Sequence, residues 1–147
     1  MANPRGIRWG RVLLGAVVIE MALLLLAIPL LAFTANPFVS TGEASTSEFT
    51  TFFASVVVAC LVLGGLGGMW VARPLSSGFV LHGALTGIAA TAIYLAICSI
   101  PPNSIAAVAA AYGPVWFVLA NGLRIGGCAA GAALQGRRQA RGVHAAV

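Results

Sequence analysis

Two residues of opposite charge, Glu20 and Arg124, lie within long apolar stretches of the sequence. At a helical rise of ~1.5 Å per residue, each lies near the middle of a membrane-spanning helix when counted from the arginines next to its own stretch, if the fourth helix spans Val115 to Leu134. A start near Ser104 would instead place Arg124 near the cytoplasmic interface. A lone charge near the middle of the membrane is costly, so both side chains should face inward. The carboxylate could serve a proton or ion relay, for which it must face a cavity. Alternatively, the two form a structural ion pair, and Asn121, one turn from Arg124, shares their site.

A histidine, His82, precedes Gly83 inside another apolar stretch. An intramembrane histidine beside glycine can ligate the metal of a haem or a chlorophyll, because glycine leaves room for the macrocycle. A haem held by two histidines would need a second one at membrane depth, and the other histidine, His144, lies in the C-terminal segment. We therefore expect a hydrogen-bonded His82 near the membrane interface and no cofactor, with a haem or chlorophyll at His82 as the alternative.

The other residue types that carry chemistry show no catalytic or metal-binding spacing. The three cysteines lack CxxC or Cys/His ligand spacing, which indicates small apolar packing residues and no metal site: Cys60, Cys98 and Cys128. The sequence contains no Ser/His/Asp set, P-loop, paired carboxylates or HExxH motif. We therefore expect no enzymatic activity.

Glycines four residues apart form the clearest pattern in the sequence. On a helix this spacing stacks them on one face, where the missing side chains let another helix backbone approach closely. Such faces serve either packing among the chain's own helices or assembly with a partner. The pairs are Gly64 and Gly68, Gly83 and Gly87, Gly122 and Gly126, and Gly127 and Gly131.

The composition indicates that a bilayer covers most of the chain. Hydrophobic residues make up 60% and charged residues 7% of the 147 residues, whereas a soluble domain is about 25% charged. A transmembrane helix needs about 20 apolar residues, and four stretches qualify: 12–33, 51–72, 78–100 and 114–134. The first is too long for the core of a signal peptide. The sequence therefore predicts an all-α membrane bundle of four helices with short loops, between a basic segment 1–11 and a basic tail 135–147.

The arginines predict the orientation of this bundle. All eight basic residues are arginine, and the net charge is +5. If the chain crosses the membrane four times, all the clusters of arginine lie on the same side of the membrane. They are Arg5, Arg8 and Arg11, then Arg73, then Arg137, Arg138 and Arg141. By the positive-inside rule, that side is the cytoplasm, with both termini inside and the helices in the bacterial inner membrane. The clusters should bind anionic lipid headgroups, so the positive charge does not indicate a nucleic-acid partner.

One part of the chain resembles a known group of proteins. The segment GGLGGMWVARP from Gly64, followed by FVLHGALTGIAATAIYL to Leu95, is similar to small uncharacterised bacterial membrane proteins of the YrzE type. In that group a glycine-rich helix end with a basic residue leads into a helix opening with His-Gly and a further glycine four on. The matching positions are Gly64, Gly65, Arg73, His82, Gly83 and Gly87. The resemblance implies a four-helix fold and no activity, and Pro74 departs from it.

The chain has little mass outside the predicted membrane spans, and it has more glycine faces than its own four helices need for packing. Both features favour a non-enzymatic role in packing. We expect a small accessory subunit within a larger membrane complex, of respiratory or photosynthetic type for example, or a homo-oligomer. The alternative is a small proton-coupled transporter that acts as an oligomer, with Glu20 as its proton site. In its carboxylate in the first of four helices, the chain resembles the small multidrug resistance efflux proteins, although the rest of that family's pattern is absent.

Overall fold

The computed structural model describes residues 6–33, 46–100 and 113–144. Within these ranges the chain forms four α-helices and no strand: α1 (Trp9–Phe33), α2 (Thr46–Ala72), α3 (Phe79–Cys98) and α4 (Pro114–His144). All four contain an apolar span long enough to cross a bilayer. The prediction of an all-helical fold with four such spans is therefore confirmed. Most of the two predicted outer connections, most of the residues before α1 and the last three residues of the tail lie outside the described residues.

Helix boundaries differ from the apolar stretches, most clearly in α4. This helix continues ten residues beyond Leu134, through the basic segment that the sequence treats as a tail. Hydropathy detects only the part of a helix that lipid can cover, whereas arginine, glutamine and alanine extend a helix readily in water. For the same reason α2 begins at Thr46, before its apolar part, and α1 begins at Trp9.

Proline and glycine set the remaining boundaries. Pro74 lies just after the end of α2, where it cannot continue the helix. Gly78 precedes α3 with φ 68°, a left-handed conformation that glycine adopts without steric cost. Pro114 occupies the first position of α4, where a missing backbone N–H costs nothing. Only residues 73–78 separate α2 from α3, so the turn between them is short, and these two helices run antiparallel.

The arginine-bearing ends of α1, α2 and α4 meet at one end of the bundle. Arg11 Nη2 at the start of α1 donates a hydrogen bond to the carbonyl oxygen of Trp70 near the end of α2, at 2.9 Å. Gln139 Nε2 near the end of α4 donates to the carbonyl oxygen of Arg73, at 2.6 Å. We call this the basic end. Within the described residues, every arginine except Arg124 lies there.

The helix α4 packs most extensively against α2 and then α3, while α1 packs on α3 and α2. The backbones of α1 and α4 make hardly any close contact, so these two helices lie diagonally across the bundle. Small side chains fill the space between them, as in the buried cluster of Ala16, Ile19, Ala90 and Cys128. The two helices are therefore in contact through side chains rather than through their backbones.

Large apolar side chains point outward around the bundle. Leu25 is 64% exposed, and Val115 and Val118 are each 67% exposed. A soluble protein rarely exposes contiguous apolar surface of this kind, and small residues inside with large ones outside are typical of helices packed in lipid. The exposed surface therefore agrees with the composition and is compatible with a membrane protein.

Candidate functional site: a buried ion pair and two glycine faces

Glu20 of α1 and Arg124 of α4 meet across the diagonal of the bundle. Glu20 is 2% exposed and Arg124 is 4% exposed, and Glu20 Oε1 lies 2.9 Å from Arg124 Nε. Neither of these two atoms has an aligned hydrogen-bond partner among the described residues, so the contact is electrostatic. The pair connects two helices whose backbones hardly touch.

The remainder of the Arg124 guanidinium is also held in place. Its Nη1 donates to Asn121 Oδ1 at 2.7 Å, and Asn121 Nδ2 in turn donates to the carbonyl oxygen of Phe117 at 2.8 Å. The guanidinium carbon lies 4.6 Å from the ring centroid of Tyr94 on α3, a favourable cation–π distance. A carboxylate, an amide and an aromatic face together surround the one arginine in the middle of the described bundle.

Small residues of α2 and α4 close around this pair. Cys60 and Cys128 are both fully buried beside it. A Cβ atom added to Gly64 would stand 2.9 Å from the carbonyl oxygen of Arg124, so the backbone of α2 lies directly against this turn of α4. The buried position of Glu20 against Arg124 matches a structural ion pair.

Most of the predicted glycine pairs mediate packing inside the bundle. A Cβ atom on Gly87 would stand 2.5 Å from Ile125 Cα, and one on Gly127 would stand 2.7 Å from the carbonyl oxygen of Leu61. The same holds at other positions, where the added atom would collide with the backbone of the neighbouring helix: Gly64, Gly68, Gly83 and Gly131. These glycines let α2 and α3 approach α4 to backbone contact, and no larger residue fits there without a shift of the helices.

Gly122 and Gly126 face the opposite way. Both are exposed, and a Cβ atom at either position would meet nothing within 4 Å. Ala130 continues the same row one turn further and is also exposed. We call Gly122, Gly126 and Ala130 the outer glycine face. It is a smooth strip on the outside of α4 that no described part of the chain covers.

His82 lies at the basic end and is 5% exposed. Its Nε2 accepts a hydrogen bond from the backbone N–H of Arg8 at 3.2 Å. Its Nδ1 lies 2.9 Å from the carbonyl oxygen of Gly78, so Nδ1 carries the proton and donates it there. Both ring nitrogens thus bind backbone groups and hold the segment before α1 against the start of α3. Ligation of a haem or chlorophyll would require one of these bonds to break.

Several contributors to these sites were not identified from the sequence. Tyr94 is the clearest, since its ring faces Arg124. Its signal was available, because an aromatic residue with a hydroxyl group lies about 22 Å along α3 from Phe79, at a depth similar to Arg124. The backbone N–H of Arg8 could not have been found this way, because every residue type except proline carries that group. Within the described residues, no group of three metal-binding side chains is present.

Comparison of the chain with protein-family models, with curated proteins and with solved structures found no match.

Proposed function

We propose that this chain is a non-enzymatic integral membrane protein that acts as a small accessory subunit. Its four helices cross the bacterial inner membrane with both termini in the cytoplasm, and the outer glycine face binds a transmembrane helix of another subunit or of a second copy. The four apolar spans and the apolar exterior support the membrane placement. The collection of arginines at one end supports the orientation, since positive charge is retained in the cytoplasm.

The contrast between the two faces of α4 carries the proposal of a partner. A glycine in a helix costs about 1 kcal/mol relative to alanine. At Gly127 and Gly131 this cost is offset, because the missing side chains admit the backbone of α2. At Gly122 and Gly126 nothing in the described chain offsets it. A partner helix that packs on the outer glycine face would offset the cost of these two glycines in the same way, because its backbone could approach α4 closely.

The ion pair supports a structural role over the transporter alternative. A transporting carboxylate must exchange protons with water on both sides of the membrane, so it needs access to a cavity. Glu20 is instead buried against Arg124 at 2.9 Å. Respiratory or photosynthetic complexes are candidate settings, since a subunit there can serve by packing alone.

Leucine substitutions on the two faces of α4 test the proposal. We expect Gly122→Leu with Gly126→Leu to leave the bundle folded, because these positions have open space around them, and to abolish co-elution of the partner subunit or of a second copy. Gly127→Leu is the matched control, which should destabilise the bundle because it collides with Leu61. The measurement is purification from the native membrane in mild detergent, with mass spectrometry of what co-elutes in constant stoichiometry.

Two results would contradict the proposal. One is a parent protein that elutes as a monomer with no stoichiometric companion. The other is an outer-face variant that retains the same companion at the same stoichiometry as the parent. Thermal unfolding of each purified variant separates a lost interface from a lost fold.

A further inference from the structure

A narrow groove of about 220 Å³ runs between α1 and α2 on the outside of the bundle. Gly15, Val18 and Ala22 line it from α1, and Leu63, Leu66 and Trp70 line it from α2. On each helix these residues recur at three or four positions and so share one face. The groove therefore follows α1 for about 10 Å, from the level of Trp70 at the basic end toward the middle of the bundle.

An arginine lies at the basic end of this groove. Arg11 precedes Gly15 by one helical turn and thus continues the same face of α1. Its guanidinium carbon lies 4.5 Å from the Trp70 ring centroid, and its Nη2 donates to the Trp70 carbonyl oxygen at 2.9 Å. The side chain is only half-buried, so part of it stays open to the surroundings. Because Trp70 lines the groove, this positioned cation lies next to the basic end of the groove.

We propose that this groove binds one anionic phospholipid, with its phosphate on Arg11 and one acyl chain between α1 and α2. This inference rests on the membrane placement proposed above. The planar guanidinium presents N–H donors in a geometry that suits phosphate oxygens. Tryptophan is favoured at the level of lipid headgroups, where Trp70 would lie. The exposed Arg8 adds positive charge at the same end.

The charge beside the groove favours a lipid over a partner helix. A partner helix could cover the apolar lining with its side chains, but at this cytoplasmic level it would bring mainly lysine or arginine, which Arg11 would repel. A single acyl chain is one methylene wide and can lie along an apolar furrow of this length. A free phosphate ion would use Arg11 but would leave the apolar lining uncovered. The combination of a fixed cation and an apolar groove therefore indicates a phospholipid.

Native mass spectrometry of the delipidated full chain, with phosphatidylglycerol or phosphatidylcholine of identical acyl chains, tests this proposal. We expect one retained phosphatidylglycerol and a clear preference over phosphatidylcholine. Arg11→Gln should lower retention of phosphatidylglycerol about fivefold, a change of ~1 kcal/mol, because the site loses the cation that Trp70 holds in place. Ala22→Phe should fill the groove and lower retention of both lipids, and Leu66→Trp does so from α2 if the first variant fails to fold.

Matched controls separate this site from general attraction. Ala92 lies as far from the start of α3 as Ala22 lies from the start of α1 and is exposed, so Ala92→Phe should leave retention unchanged. Arg138→Gln removes an exposed charge at the same end and should have little effect. Equal losses in Arg11→Gln and Arg138→Gln, or equal retention of the two lipids, would overturn the proposal. Full displacement of the lipid by inorganic phosphate, with no effect of Ala22→Phe, would also overturn it and identify a phosphate site.

Failure of this inference and failure of the proposed function give different results. The lipid experiment uses variants on the outside of α1 and α2, whereas the partner experiment uses variants on the outside of α4. A chain that retains no lipid but still loses its companion in the Gly122→Leu and Gly126→Leu variant would refute only the lipid site. A chain that needs no detergent to remain in solution would refute the membrane placement and with it both proposals.

Discussion

At the middle of the bundle the guanidinium of Arg124 is matched by a carboxylate, whereas at the basic end the guanidinium of Arg11 is matched by a carbonyl oxygen and an indole ring. Arg124 is 4% exposed, so no water can stabilise its charge and a counter-ion must do so. Arg11 is half-buried, and neutral partners are enough because part of its charge remains open to the surroundings. This difference is the reason that we propose a structural role for Arg124 and a ligand-binding role for Arg11.

The largest effect is expected from removing one partner of the central ion pair. Glu20→Gln or Arg124→Gln should each lower the free energy of unfolding by about 3–5 kcal/mol, because each leaves the charge of the other residue buried without its counter-ion. Unfolding in detergent micelles, followed by circular dichroism, measures this loss. Arg11→Gln is the control at the basic end, where a partly exposed pair should contribute at most about 1 kcal/mol. Equal losses at the two arginines would remove the distinction between the two regions.

A smaller effect is expected from His82, which ties the segment before α1 to α3 at the basic end. His82→Ala should cost about 1–3 kcal/mol, since it leaves the N–H of Arg8 without its partner and removes one of the two hydrogen bonds that the carbonyl of Gly78 accepts. Hydrogen exchange at the Arg8 amide should accelerate in the variant. Exchange in the middle of α3 should stay the same, and unchanged protection at Arg8 would show that the bond does not hold this segment. A Soret or chlorin absorption band that is present in the parent and lost in the variant would instead support ligation of a haem or chlorophyll by His82.

The smallest effect on the protein is expected from labelling, which tests which side of the membrane the basic end occupies. In a chain whose three native cysteines are replaced by alanine, Ser76→Cys lies in the exposed turn between α2 and α3. It should not react with an impermeant thiol reagent added outside the cell. Ser45→Cys, in the connection between α1 and α2, should react. The reverse pattern would place the basic end outside and contradict the proposed orientation.

Much of this arrangement follows from local sequence signals, and the rest depends on packing. Helical rise alone places Glu20 and Arg124 at similar depth, and lone charges in apolar stretches require partners. By contrast, spacing cannot say which glycine pair faces inward. Gly122 and Gly127 are separated by about 140° around α4 at ~100° per residue, so their pairs must lie on different faces. Only the positions of α2 and α3 decide which face is buried.

Stability of the four members of a double-variant cycle tests most directly the claim that Glu20 is the structural partner of Arg124. The cycle compares the parent, Glu20→Gln, Arg124→Gln and the chain carrying both changes. We predict that the double variant is more stable than either single variant, because it contains no unpaired buried charge, and that its loss is well below the sum of the two single losses. Additive losses would show that the two side chains do not interact. Glu20 would then become a candidate proton site, as the transporter alternative requires.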